Sequence, residues 1–319
     1  MPRRTPSLLV ALAVVLGIAA TGCDSGSSKS SGSTSTTAAA CSGPRYAAVR
    51  GSAADDGTVV LVGDGASEPV TTSGRSGQPD FSPDGNDVAY GFAETGSDAA
   101  EFALQVEPVG STTPRTLALQ EASSPSWSPD GTSVAYVRND PALASGEIRV
   151  VEVASGTDDR AGARMAGDLR LASPTWSPDG ISIYYLATSG DLEKKGQIQA
   201  WAAQPLSGTF QEITVVDDSV VRMVLGPDGR TALLSGTGGD LWTLNVKTGA
   251  TRAVTGTAML AAWIDATHVV GYVRQGGAYR LGTFALEGTK LTRTGTVPGF
   301  SSPSIQPWYG VAVRPCNAD

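Results

Sequence analysis

One phrase recurs along this 319-residue chain: PSWSPDGTSVAY from Pro125 to Tyr136 returns as PTWSPDGISIYY from Pro174 to Tyr185. An earlier copy, QPDFSPDG, ends at Gly85, and a weaker one, MVLGPDG, ends at Gly229. Two further copies are degraded, AAWIDA at Ala261–Ala266 and SPSIQP at Ser302–Pro307. Their aromatic or apolar anchors are Phe81, Trp127, Trp176, Leu225, Trp263 and Ile305, so six units of 38–49 residues fill the chain from about residue 43 to its end. A period in this range belongs to solenoids, propellers and arrays.

The content of each unit chooses among these. After each turn comes a short apolar strand, such as Val134–Val137 or Ile183–Leu186. A longer strand with alternating character follows, as at Leu241–Val246, and then a fourth, as at Arg115–Leu119 or Thr251–Val254. The i, i+3, i+4 spacing of a helical repeat is missing. Charged residues are only 17% of the chain, while Gly (39) and Pro (19) are frequent, which favours many short strands. The predicted fold is all-β: a six-bladed β-propeller of four-stranded antiparallel blades over residues 43–319. Its last blade is expected to be shared by strands from both ends of the chain, Tyr46–Arg50, Thr58–Val62 and Val70–Thr72 from one and Ser302–Val313 from the other.

The recurring phrase reads as a hairpin corner. Pro83, Pro129, Pro178 and Pro227 preset the first central φ, and Asp84, Asp130, Asp179 and Asp228 accept local backbone hydrogen bonds. Gly85, Gly131, Gly180 and Gly229 take the left-handed conformation that starts the returning strand. The functional alternative is a ring of cation-binding carboxylates, and it fails where the motif decays to Ala266 and Trp308.

Pro-x-Trp-Ser-Pro-Asp-Gly followed by an apolar strand resembles the repeat of TolB-type six-bladed propellers, over residues 78–313. The same repeat occurs in the propeller that caps prolyl-oligopeptidase-type enzymes. The resemblance speaks for the fold and is nearly silent about activity. TolB carries an α/β domain before its propeller that this sequence does not match, so TolB's docking role in an outer-membrane complex does not carry over residue by residue.

The first 22 residues read as an export signal: Arg3 and Arg4, then an apolar run from Leu8 to Ala20 that is too short to span a bilayer. Ala20-Thr21-Gly22-Cys23 resembles a bacterial lipobox, with Ala20 where Leu or Val is usual, and makes Cys23 the expected lipidated N-terminus. A plain secretory signal is the alternative, and the sequence leaves Sec and twin-arginine export open. Residues 23–42 are the lipidated Cys and a Gly/Ser/Thr-rich tether that cannot bury enough to order itself and spans roughly 20–25 Å on average. The chain is then expected to be exported and held at the outer face of the cell membrane by its lipid. The composition, rich in Ala, Gly, Thr and Arg and poor in Lys, suggests an actinobacterial source.

Cys41 and Cys316 remain, one before the first strand and one after the last, and read as a disulfide that clamps the closed ring. Loop-closure entropy gives such a bond up to about 5 kcal/mol. Two free thiols are the alternative.

Sets of catalytic residues are scarce. His268 is the only histidine, and it sits at the degraded corner of the fifth unit, where a turn residue needs no function. No nucleophile elbow, C-x-x-C, P-loop, EF-hand or dinucleotide fingerprint occurs, so no cofactor or metal is expected. The formal charge of −8 without a basic stripe argues against nucleic acid. The acidic pairs Asp55-Asp56, Asp158-Asp159 and Asp217-Asp218 read as solvated loops between strands.

What remains is the mouth of the central channel, where loops entering the innermost strands converge. Arg75, Gln78, Asp80, Asp218, Arg222 and Ser302 are the polar residues expected there. The leading reading is a non-enzymatic, monomeric, membrane-anchored binding module for a protein or a cell-envelope polymer. A propeller-class lyase or glycan hydrolase using mouth carboxylates about 5–10 Å apart is the second, and a small-ligand sensor the third.

Overall fold

The computed structural model describes residue 43 and residues 45–315, apart from 52–56, 72–73, 95–101, 120, 141–144, 162–168, 190–197, 206–207, 217–218, 237 and 307–308. The described secondary structure is all β, arranged as six four-stranded antiparallel sheets. Blade 1 is β4 (Arg75–Phe81), β5 (Asp87–Ala93), β6 (Ala103–Pro108) and β7 (Arg115–Ala118). Blade 2 is β8 (Ala122–Trp127), β9 (Ser133–Asp140), β10 (Ser145–Glu152) and β11 (Asp158–Arg160). Blade 3 is β12 (Leu169–Trp176), β13 (Ile183–Ser189), β14 (Ile198–Gln204) and β15 (Thr209–Val216). Blade 4 is β16 (Val220–Leu225), β17 (Thr231–Gly236), β18 (Leu241–Asn245) and β19 (Thr251–Val254). Blade 5 is β20 (Met259–Trp263), β21 (His268–Gln275), β22 (Ala278–Glu287) and β23 (Lys290–Thr296).

Blade 6 closes the ring. Its order is β24-β1-β2-β3, with β1 (Tyr46–Gly51), β2 (Gly57–Gly63) and β3 (Ala66–Pro69) from the N-terminal part and β24 (Val311–Val313) from the C-terminal part. The C-terminal strand is innermost: Val311, Ala312 and Val313 pair with Ala48, Ala47 and Tyr46. β24 contacts β20 of blade 5 on one side and β4 of blade 1 on the other, which completes the circle. Arg314 N donates to Arg45 O at 2.8 Å, so the two ends of the propeller chain run side by side.

The sixth anchor is not Ile305. The last residue of each inner strand pairs with the opening residues of the next strand, as Phe81 does with Val88 and Trp176 with Ile183. In blade 6 that position is Val313, opposite Tyr46. Residue Ser302 instead bridges Tyr279 of blade 5. The Ser-Pro that opens SPSIQP resembles the repeat, but residues 302–306 lie outside the strands.

The core lies between blades. Leu241 of β18 packs toward Val269, Phe284 and Leu286 of blade 5, while Leu244 on the opposite face packs toward Leu186 and Ala200 of blade 3. The alternation in the sequence therefore separates one neighbour from the other, and both sheet faces are buried. Tyr272 of β21 ties blade 5 to the closing blade: its hydroxyl accepts from Val49 N at 2.8 Å and lies 2.9 Å from both Val49 O and Gly310 O.

The corners carry the capping chemistry expected of them. Ser82 Oγ donates to Asp84 Oδ1 and accepts from Asp87 N, Asp84 Oδ1 accepts from Asn86 N, and Gly85 has φ 71°. Blades 2 and 3 repeat this set, and blade 4 keeps the Asp228 cap although Gly226 replaces the serine. In blade 5 the cap shifts rather than vanishes. Asp265 accepts from Thr267 N and His268 N at 2.8 and 2.9 Å, and the turn is one residue shorter, closed by Ile264 N to His268 O instead of the Ser82 N to Asp87 O type.

These corners also touch one another. The rings of Pro83, Pro129 and Pro178 pack on Gly131, Gly180 and Gly229 of the following blade, 3.2–3.9 Å from where a Cβ would lie. At blade 6, which has no corner, the Arg314 side chain covers Gly85 and its Nε donates to Gly85 O at 2.7 Å. The belt stops at Pro227, because the shortened turn of blade 5 presents no glycine to it.

Candidate functional site

The innermost strands converge on a channel. In four of the first five, the antiparallel register slips at one equivalent place, between Gly77 and Asp80, Ser123 and Ser126, Ala172 and Thr175, and Met259 and Ala262, whereas in β16 it slips earlier, between Val220 and Arg222. Gln78, Ser124, Ser173 and Leu260, each three residues before its anchor, have φ of 48°, 54°, 50° and 51°. Such values are uncommon outside glycine, and the bulge that imposes them turns these residues toward the axis. Gln78, Ser124 and Ser173 are all more than nine-tenths buried, and together with Arg222 they enclose a polar cavity of about 50 Å³, room for about one or two waters.

A second cavity of about 290 Å³ lies on the side of the corners, walled by Val224, Ala262, Ile264, Val311 and Val313. Asp80 and Arg222 line both cavities and so stand at the waist between them. They come from blades 1 and 4, which face each other in a ring of six. Arg222 reaches across to the closing blade, where its Nη2 donates to Val311 O at 3.2 Å. Gly310 is what admits it, because a Cβ there would collide with the guanidinium.

Asp80 is braced. Its Oδ2 accepts from Trp127 N at 2.8 Å, joining blade 1 to blade 2. Thr175 repeats the device one position before its anchor, its Oγ1 accepting from Leu225 N at 3.3 Å between blades 3 and 4. Burial in the channel wall pushes the Asp80 carboxyl up to about 6, against the opposing pull of the Trp127 and Phe81 N–H groups and the Arg222 charge. Burial likewise pushes the Arg222 guanidinium down, against the pull of Asp80. Arg222 Nε and Ser173 Oγ are buried without a partner among the described residues.

The structure thus brings Gln78, Asp80 and Arg222 together and places Arg75 and Ser302 elsewhere. Arg75 stacks over the Phe102 ring at 5.3 Å. Ser302 is fully buried in the wall, its Oγ accepting from Gly51 N at 2.8 Å and donating to Ser304 O. Asp218, together with Asp55-Asp56 and Asp217, lies outside the described residues, as do Cys23, Cys41 and Cys316 and the signal and tether segments. Asp158-Asp159 is not a loop pair: both residues belong to β11, and Asp158 accepts from the Tyr136 hydroxyl and from Arg149. His268 holds the blade 5 corner through Nδ1 to Asp265 at 2.9 Å. Among the described residues no three His, Cys, Asp or Glu side chains gather at one point.

Ser124, Ser173 and Gly310 were not among the residues singled out in the sequence. A signal for the first two was present, since Gln78-Pro79, Ser124-Pro125 and Ser173-Pro174 recur in step with the corners.

No protein-family model matches the chain, and no curated protein does. Solved structures do. TolB from Acinetobacter baumannii superposes with a TM-score of 0.62 at 18% identity, over 85% of this chain and 66% of that one, so this chain spans just under two thirds of its length. A TolB-assigned protein from Agrobacterium tumefaciens gives 0.54 at 16% identity, over 86% of this chain and 99% of that one. An oligogalacturonate lyase in complex with manganese gives 0.54 at 14% identity, over 81% and 75%. At these identities the likeness is one of fold: a TolB-like propeller ring.

Proposed function

We propose that this protein is a non-catalytic binding module, exported and held outside the cell membrane by lipid on Cys23, that presents a closed propeller to a protein or cell-envelope partner. The observation that carries the reading is the waist of the channel. Arg222 spans it to Val311, and the Asp80 carboxylate is engaged in joining two blades. A polymer cannot thread a channel closed in this way, and recognition falls to the two faces. The fold is shared with TolB proteins, which supports this reading, and with a lyase, which keeps a second one in view.

The pairing of Arg45 with Arg314 supports the Cys41–Cys316 disulfide, since these cysteines lie a few residues beyond the paired ends. Peptide mapping of the unreduced protein is expected to recover a linked 41–316 pair, and recovery of both as free thiols would remove the clamp. Cross-linking on intact cells, followed by purification and mass spectrometry, tests the function. One dominant protein or glycan joined to a propeller face supports the module, and enrichment of nothing refutes it.

The second reading makes Asp80 a catalytic carboxyl, because its pKa of about 6 is suited to proton transfer near neutrality. Turnover of an acidic glycan, lost in Asp80→Asn with unchanged melting, would establish it in place of the first.

A further inference from the structure

The broken belt of corners leaves a cleft between blades 4 and 5, on the corner side and outside the channel. Its volume is about 490 Å³, within the ~300–1,000 Å³ typical of ligand sites. The cause is local: Pro227 has no turn glycine to pack on, so the notch filled at the three preceding junctions stays open here.

The cleft is lined by hydrogen-bonding groups. Thr243 and Asn245 follow each other on alternate positions of β18, and Arg252 of β19 is paired directly with Thr243. Thr267 and Thr289 face them from blade 5. The Trp263 ring forms the inner wall, pinned by its Nε1–H to Val224 O at 3.1 Å. The one carboxylate in the lining, Asp228, is already occupied by Arg230 N, Thr231 N and Thr231 Oγ1, at 2.8–2.9 Å. The Thr243 hydroxyl and the Arg252 guanidinium have no partner among the described residues. The site therefore offers donors, one free cation and one aromatic wall, and asks for a ligand with many acceptors, a negative group and a flat apolar face.

We infer that this cleft binds a segment of an acidic glycan, with a sugar carboxylate at Arg252, hydroxyls on Thr243, Asn245 and Thr289, and a sugar face against Trp263. The inference is independent of the channel, and either can fail without the other.

Affinity electrophoresis tests it. The full-length chain, purified in detergent, is run through native gels containing alginate, hyaluronate or neutral dextran. Retardation by an acidic polymer is expected, with dextran inert. Arg252→Ala and Thr243→Val should each weaken binding about tenfold, the worth of one charge-assisted or well-placed hydrogen bond, and leave melting unchanged. Lack of retardation by both acidic polymers, retardation by dextran alone, or equal retardation of the variants would each overturn the assignment.

Discussion

Asp80 makes the stability of the propeller depend on pH in a direction opposite to that of the corner aspartates. Its carboxyl is raised from 3.8 to about 6 in the fold, chiefly by burial. A carboxyl raised in this way stabilises the fold while protonated. The contribution is complete below the unfolded value, near pH 4, and is lost as pH rises through the folded value, near pH 6. The difference of about two units corresponds to about 3 kcal/mol. Asp80→Asn removes the titration and keeps an acceptor for Trp127 N. The pull of the Arg222 guanidinium on the ionised carboxyl is one of the opposing effects already contained in the folded value of about 6, so it is counted within this difference. Urea unfolding of both proteins from about pH 4 to about pH 8 isolates the effect. The stability of the variant relative to the parent is expected to rise by about 3 kcal/mol across that window, or on the order of 5–10 °C in Tm. A flat or falling difference would refute a desolvated carboxyl at the waist.

Two further substitutions probe closure and the waist. Tyr272→Phe removes the hydroxyl that joins β21 to Val49 and Gly310, leaving Val49 N only a longer contact to Gly310 O at 3.3 Å. A loss of about 1–3 kcal/mol is expected by denaturant unfolding, and an unchanged midpoint would show that the hydroxyl does not hold the closing blade. Gly310→Ala places a methyl group in the Arg222 guanidinium and is expected to cost about 1–3 kcal/mol. In an Arg222→Ala background that cost should shrink by at least about 1 kcal/mol, and strict additivity of the two changes would sink the cross-channel contact.

The architecture was legible because its determinants are local and repeated. Pro, Asp and Gly at a corner act within four residues, so Pro129-Asp130-Gly131 announces its turn whatever surrounds it. The waist was not legible in the same way. Arg222 and Gly310 lie 88 residues apart and meet only when blades 4 and 6 do. Arg222 was expected at the mouth and stands deeper, since its length lets it cross an axis that the sequence does not draw. The degraded corners misled in two ways. At Asp265 the cap persists one residue early, hidden by a shortened turn. At Ser302–Pro307 a Ser-Pro resembled the repeat, while the strand that matters is the plain Val311-Ala312-Val313 beyond it. The cleft between blades 4 and 5 follows from a proline losing its partner, which is visible only once neighbouring corners are seen to touch.

The position of β24 has a consequence for how the ring is made. A chain synthesised from its N-terminus forms β1 among the first strands and supplies the neighbour of β1 among the last. Throughout that interval Tyr46, Ala47 and Ala48 present an unpaired edge beside a gap one strand wide, and such an edge accepts any extended segment that fits. The segment 311–313 of a second chain fits it as well as the chain's own. At high concentration the last step of folding is thus a competition between closing on itself and trading ends with a neighbour, with the two products sharing every blade contact.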